Sequence, residues 1–149
     1  KANVMMKKLP GWKLGARKDR KTGKEFFYFD THFDHIGKQA RAESARMMVA
    51  RMKRIAGEKA AVFLSGDLNT TYDNALLDPL KAWMQSARHA APVTDELPTF
   101  NDFGKRSLWI DFIFARNARA LAYRTLVDSG RYGVPFLSDH NPVYALYKL

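Results

Sequence analysis

The run Ala60 to Leu64 is short, continuous and apolar, and Ser65-Gly66-Asp67-Leu68-Asn69-Thr70 follows it directly. A run of that length bounded by turn formers suits a buried strand, and its neighbours must supply the cover. The segment before it has a different period. Ala45, Met48, Val49, Met52, Ile55 and Ala56 recur at i, i+3, i+4 and i+7, while Lys38, Arg41, Arg46, Arg51, Lys53 and Arg54 fall mostly elsewhere. This predicts an amphipathic helix over Lys38 to Ile55, ended by Gly57, with its methionines as core filler and its basic face in water. Upstream, Lys21-Thr22-Gly23-Lys24 reads as a tight turn between strands at Trp12 to Arg17 and Glu25 to Thr31, since Phe26, Phe27, Tyr28 and Phe29 are strong strand formers. Downstream, Asp73 to Met84 reads as a second helix with Leu76, Leu77, Leu80 and Met84 inward. Strands are expected at Leu108 to Ala115, Leu121 to Val127 and Pro142 to Leu149, with a long loop over Asp128 to Ser138. Strands that alternate with helices and then follow one another through loops give an α/β (α+β) chain with a mixed β-sheet.

The 149 residues point to one domain or a piece of one, with no linker or internal repeat to divide them. A composition with 46% hydrophobic residues can build a core, which argues against intrinsic disorder. Cysteine is absent, so a disulfide framework, a thiol nucleophile and Cys-ligated zinc or iron-sulfur sites are excluded. No apolar run approaches the roughly 18 residues of a transmembrane span. Lys1 to Lys24 is basic and irregular, broken by Pro10-Gly11, and has no apolar core of the signal-peptide kind. The chain starts at Lys1 rather than Met, which leaves room for a leader or an upstream segment. A net charge of +10 favours an anionic partner such as phosphate, nucleic acid or an acidic membrane surface, although a solvated basic surface accounts for it equally well.

Polar groups that end or interrupt apolar strands carry the functional information, because they cost stability unless they are paired or used. Four such places occur. Asp30-Thr31-His32-Phe33-Asp34-His35 follows the aromatic strand; as a zinc pair His32 and His35 fit poorly, since residues three apart in an extended chain face opposite ways. Asp67 and Asn69, two apart, project to one side of the chain and can converge on one ligand. The same stretch also suits an Asx turn before the next helix, a role open to Thr70, Thr71 or Asp73. Asp111 stands within the apolar run Trp109-Ile110-Asp111-Phe112-Ile113-Phe114 and needs an Arg or a His as partner. Asp139 and His140 precede the last strand, where Pro142 opens it; Ser138 has no Gly-flanked elbow and is not read as a nucleophile.

Together, the types and order of these segments resemble the endonuclease/exonuclease/phosphatase superfamily, the DNase I-like fold. The residues that carry the resemblance are Thr31 to His35 (Thr-His-Phe-Asp-His), Gly66 to Asn69 (Gly-Asp-Leu-Asn), Ile110 to Ile113 (Ile-Asp-Phe-Ile) and Ser138 to Val143 (Ser-Asp-His-x-Pro-Val). Pro98-Thr99-Phe100-Asn101 matches a further segment, and the likeness runs from about Glu25 to Leu149.

The resemblance implies hydrolysis of phosphodiesters or phosphomonoesters by an activated water, with Mg²⁺ (or Mn²⁺) as cofactor. It makes His140 the general base, with a neighbouring carboxylate setting its tautomer, and His32, oriented by Asp111, a stabiliser of the phosphoryl oxygens or the leaving group. It makes Asp67 and Asn69 holders of water, phosphate or metal, and Asp139 a metal ligand; oxygen donors suit Mg²⁺. Nucleic acid, nucleotide, sugar phosphate and lipid head group all remain possible substrates. The family's upstream Asn and metal-binding Glu have no counterpart here: Glu25, Glu43, Glu58 and Glu96 stand in other contexts. The implied fold is therefore the C-terminal half of an αββα four-layer sandwich. Such a half is expected to expose its inner sheet face, with Phe27, Phe29, Val62 and Leu64 as candidates, and to self-associate or bind the missing N-terminal half. A non-catalytic module that binds anionic ligands or nucleic acid through Lys and Arg is the competing reading.

Overall fold

The computed structural model describes residues 12–127, 130 and 132–149. The Pro10-Gly11 break and loop residues Asp128, Ser129 and Arg131 lie outside them. The expected hairpin is present: β1 (Trp12–Lys18) pairs antiparallel with β2 (Glu25–Thr31). Its turn is closed by Asp19, whose carboxylate accepts from the backbone N–H groups of Lys21 and Thr22. Helix α1 (Lys38–Ala56) buries Ala45, Met48 and Met52, the stripe that its periodicity predicts, and ends where the Gly57 N–H reaches the Lys53 carbonyl.

Next, β3 (Ala61–Asp67) pairs parallel with β2 and antiparallel with β5 (Asp111–Arg116). With the two-residue β4 (Gln85–Ser86) they form a mixed sheet in the order β1-β2-β3-β5-β4. Strands β6 (Arg119–Thr125) and β7 (Val143–Lys148) form a second, two-stranded antiparallel sheet. The described residues thus form three layers, helices, the five-stranded sheet and the two-stranded sheet. No helix among the described residues is long and apolar enough to cross a membrane.

The second expected helix is split. Pro79 has no N–H to donate and is tolerated only in a first helical turn. A 3-10 turn at Ala75–Leu77, capped by the Asn74 side chain, therefore precedes α2 (Asp78–Trp83). The cap falls to Asn74; the Thr71 hydroxyl is bonded to the Asp73 carboxylate. The short α3 (Ala87–Ala90) follows β4 and packs Ala87 and Ala91 against Ala120 and Tyr123 of β6.

The candidates for the exposed inner face require correction. Phe29, Val62 and Leu64 are fully buried with Met48 and Met52 in the main core, and Phe27 packs against it. They face the helices. The other face of β2, β3 and β5 carries Phe26, Tyr28, Phe63 and Ile113, and Phe63 meets Tyr147 of β7 edge-on at 5.0 Å. Residues two apart share a face, so one step of register separates the two sets.

Candidate active site

The four polar segments converge at one end of the five-stranded sheet, where β2 and β3 run out and β5 begins. Parallel pairing of β2 with β3 brings their carboxyl ends together, and antiparallel pairing sets Asp67 opposite Asp111. Asp111 is the first residue of β5 rather than a mid-strand residue. The buried Thr99 hydroxyl accepts from the backbone N–H groups of Ile110 and Asp111, and Leu108 bridges to Phe100, so the preceding residues are held outside the sheet.

Two backbone positions shape the β3 end. Gly66 has φ +146, and a Cβ there would lie 1.7 Å from the Thr31 carbonyl oxygen, so this crossing of β2 and β3 admits only glycine. Asn69 adopts φ +48, a left-handed conformation that asparagine tolerates. Its N–H reaches the Asp67 Oδ1 at 2.8 Å, and its amide donates to the Phe33 carbonyl at 2.9 Å and approaches His32 Nε2 at 3.1 Å.

The imidazoles flank Asp67. His140 Nδ1 lies 2.8 Å from Asp111 Oδ2, and His140 Nε2 lies 3.8 Å from Asp67 Oδ2. An ionised carboxylate only accepts, so Asp111 fixes the proton on Nδ1 and leaves Nε2 with its lone pair. His32 Nε2 lies 3.3 Å from the same Asp67 oxygen. The expected orientation of His32 by Asp111 is thus corrected: Asp111 holds His140, while His32 Nε2 lies beside Asp67 and Asn69. Asp67 is 13% exposed and His32 69% exposed, so the carboxylate forms the floor and His32 the rim. Burial pushes the Asp67 carboxyl above its ordinary value; the Asn69 N–H pulls it back and the Asp111 charge raises it further.

Asp67, Asp111 and His140 each offer a ligand atom within 4.8 Å of the others, a grouping that can hold a cation. Asn69 adjoins it through Asp67. The Asp139 carboxylate does not join this grouping; its contact is the Ser138 hydroxyl at 3.3 Å. His35 lies outside it too. Asp34 beside His35 instead closes the turn into α1 by accepting from the Ile36 and Gly37 N–H groups, which lower its pKa.

Supporting residues went unassigned in the sequence. Besides Thr99, Asn101 and Asn141 are buried and bonded to each other at 3.0 Å, and the Asn141 amide also donates to the Pro98 carbonyl. The Asn141 N–H reaches the Thr99 carbonyl, so Pro98-Thr99-Phe100-Asn101 carries both Asp111 and the loop of His140. The Phe100 ring packs on His140 with centroids 4.9 Å apart. The signal was the match of Pro98-Thr99-Phe100-Asn101 to a further segment of the resemblance, to which no role was attached.

No family model matches the chain, and no curated protein matches it by sequence. Solved structures do. An endonuclease/exonuclease/phosphatase of Bacteroides vulgatus superposes with a TM-score of 0.82 at 32% identity, over 93% of this chain and 55% of that one. A mannosyl-6-phosphatase of Bacteroides thetaiotaomicron gives 0.80 at 31% identity, over 93% and 57%. Danio rerio TDP2, in complex with a single-stranded DNA product, gives 0.68 at 17% identity over 93% and 62%, a likeness of fold. The chain therefore spans little more than half the length of the relatives it matches at above 30% identity. The ordered motifs, the layered fold and these relatives agree: the chain is a partial domain of the endonuclease/exonuclease/phosphatase type.

Proposed function

We propose that this chain carries the catalytic base of a divalent-metal-dependent phosphoesterase. The observation that carries the reading is the close grouping of Asp111, His140 and Asp67, with Asp111 on one ring nitrogen of His140 and Asp67 near the other. Asp111 holds the Nδ1 proton at 2.8 Å, which leaves Nε2 to take a proton from a water aimed at phosphorus. The resulting imidazolium is stabilised from both sides, by Asp111 and by Asp67. His32, on the rim, faces the space where phosphoryl oxygens or the leaving-group oxygen would lie, and Asn69 keeps it there.

The donor set fits a cation of the Mg²⁺ or Mn²⁺ kind. Asp67 offers an oxygen beside Asp111, while the rest of the coordination falls to water and substrate, as Mg²⁺ prefers. Asp67 and Asn69 would hold it; Asp139 joins them on the family resemblance alone. When bound, the cation neutralises phosphate charge and polarises the phosphoryl group. Substrates are phosphate esters, and a sugar phosphate is the first to try, because a relative at 31% identity is a mannosyl-6-phosphatase.

The test is hydrolysis of bis(p-nitrophenyl) phosphate, p-nitrophenyl phosphate and mannose 6-phosphate, with Mg²⁺ and with a chelator. His140→Ala and His32→Ala should each cost about 10²- to 10⁴-fold in rate; wild-type turnover in both would refute the assignment. The competing binding-module reading has salt-sensitive phosphate-ester binding without turnover as its signature.

A further inference from the structure

The end of β5 away from Asp111 carries a second cluster of polar groups. Strand β5 begins at Asp111 and closes at Arg116, where the turn into β6 meets the end of α2. Residues 81–85 and 115–119 wall an open cavity of about 570 Å³ there. Its walls carry Lys81, Arg116 and Arg119 and no carboxylate. Two N–H donors of these walls, Trp83 Nε1 and Arg116 Nε, are buried without a hydrogen-bond partner among the described residues. Trp83 is only 7% exposed, so its indole N–H has lost bulk water and gained nothing in exchange. Indole and guanidinium groups donate only, and a buried donor left unpaired costs stability, so both call for an acceptor.

The remaining bonds show what kind of acceptor the cavity suits. Arg116 spends Nη1 on the Trp83 carbonyl at 3.1 Å and Nη2 on Glu58 at 2.8 Å. The first of these covers a carbonyl at the end of α2 that would repel an anion. Lys81 is paired with Asp78 at 2.7 Å, whereas exposed Arg119 has no carboxylate partner among the described residues. The Lys53 ammonium adds positive charge from α1, 5.8 Å from the centre of the Trp83 ring. The walls are also held in place. Asn117 adopts φ +55 and its amide donates to the Glu58 and Ala60 carbonyls, which pins the β5–β6 turn to the residues before β3. A neutral acceptor satisfies a donor but leaves Arg119 unbalanced; an anion does both. We propose that this cavity is a second anion site, which takes a phosphate group on Arg119 with the Trp83 and Arg116 donors behind it. Guanidinium groups suit the tetrahedral oxygens of phosphate. The site stands apart from His140 and Asp67 and does not rest on the proposed chemistry.

Inorganic phosphate is the probe, added to this isotope-labelled chain at an ionic strength held constant with sodium chloride. The Trp83 indole N–H signal reports the cavity, while that of Trp109, which donates to the Asp111 carbonyl, reports the candidate active site. The Trp83 signal should shift saturably. Arg119→Gln should raise the phosphate concentration at half-saturation at least about tenfold, the scale of one charge-assisted hydrogen bond. Arg46→Gln, in an exposed pair with Glu43, should leave it unchanged. Trp83→Phe removes the N–H and should weaken phosphate binding by calorimetry; Arg119 is exposed, so its variant keeps the test open if the core variant fails to fold. A thymidine oligonucleotide at equal phosphate concentration separates the sources. Half-saturation at lower concentration assigns the site to a nucleic-acid backbone, and half-saturation at equal or higher concentration assigns it to a free phosphate; both support it. A Trp83 signal that stays in place while Trp109 moves, a shift that sodium chloride alone reproduces, or unchanged half-saturation in the Arg119→Gln chain would each overturn the proposal.

Discussion

Gly66→Ala should be the most damaging single-atom addition in this fold. The new Cβ would stand 1.7 Å from the Thr31 carbonyl oxygen and 2.8 Å from its carbon, against backbone that cannot swing aside. Relief requires β2 and β3 to part by more than an ångström at their carboxyl ends, which breaks the last rungs of the ladder and the bond from the Phe33 N–H to the Asp67 carbonyl. Loss of two or three such bonds, at about 1 kcal/mol each, adds to about 1–3 kcal/mol for an alanine forced to φ +146. The expected loss is about 4 kcal/mol or more, a large share of the roughly 5–15 kcal/mol that holds a domain together. Gly57→Ala separates the two causes. Gly57 also has a positive φ, +69, but nothing lies within 4 Å of the place a Cβ would take there, so only the conformational cost of about 1–3 kcal/mol applies. Thermal melts followed by circular dichroism should show Gly57→Ala lower by about 3–10 °C, and Gly66→Ala lower by more than about 12 °C or unfolded. Equal shifts for the two variants would refute the steric argument and the close approach of β2 to β3 on which the site is built.

Thr99→Val keeps shape but leaves the Ile110 and Asp111 N–H groups without their acceptor, one buried and one partly buried; after allowance for the extra buried methyl the cost is about 2 kcal/mol. Urea titration should lower the midpoint by about 1 M, and a change under about 0.2 M would remove Thr99 from its supporting role. His89 is stacked on Tyr72 at 4.0 Å, and burial, then the Arg88 charge, lower its pKa. The unfolded chain therefore binds the proton more readily, so this group's contribution is present above pH of about 6.5 and lost as pH falls toward the folded value. NMR titration should place His89 below about 6.5, His89→Gln should flatten part of the acid slope of stability, and a titration at or above 6.5 would reverse the sign. Burial raises the Tyr147 pKa, so stability should fall as pH climbs past about 10 and Tyr147→Phe should remove that loss; an unchanged alkaline limb would contradict the burial.

Much of this was legible because period and punctuation agree along the chain. The helix stripe of Ala45, Met48 and Met52, the Glu25–Thr31 strand and the residues ending β2 and β3 follow from local pattern. Helix α2 was misplaced because apolar spacing outweighed Pro79, and the start of β5 was misplaced because Thr99, remote in sequence, withdraws two N–H groups from the ladder. Asp111 was assigned to His32 for the same reason: the strand shows that the carboxylate needs an Arg or a His, but only the long return through Asn101 and Asn141 brings it His140.

The reversed sheet face has a different origin. In Glu25-Phe26-Phe27-Tyr28-Phe29, and again in Ala61-Val62-Phe63-Leu64, both parities are apolar, so alternation cannot tell which set the helices cover. A strand with one wet face would have resolved the question; these strands have none to offer. That ambiguity is itself a structural statement, because apolar residues on both sides mean that both sides are meant to be covered. Helices α1 and α2 bury Phe29, Val62 and Leu64 on one, while β6 and β7 cover the other only far enough to leave Tyr28 39% exposed and a groove open between the sheets. The feature that misdirected the reading of the sheet is thus the one that marks its less covered side, which faces β7, the strand that follows His140.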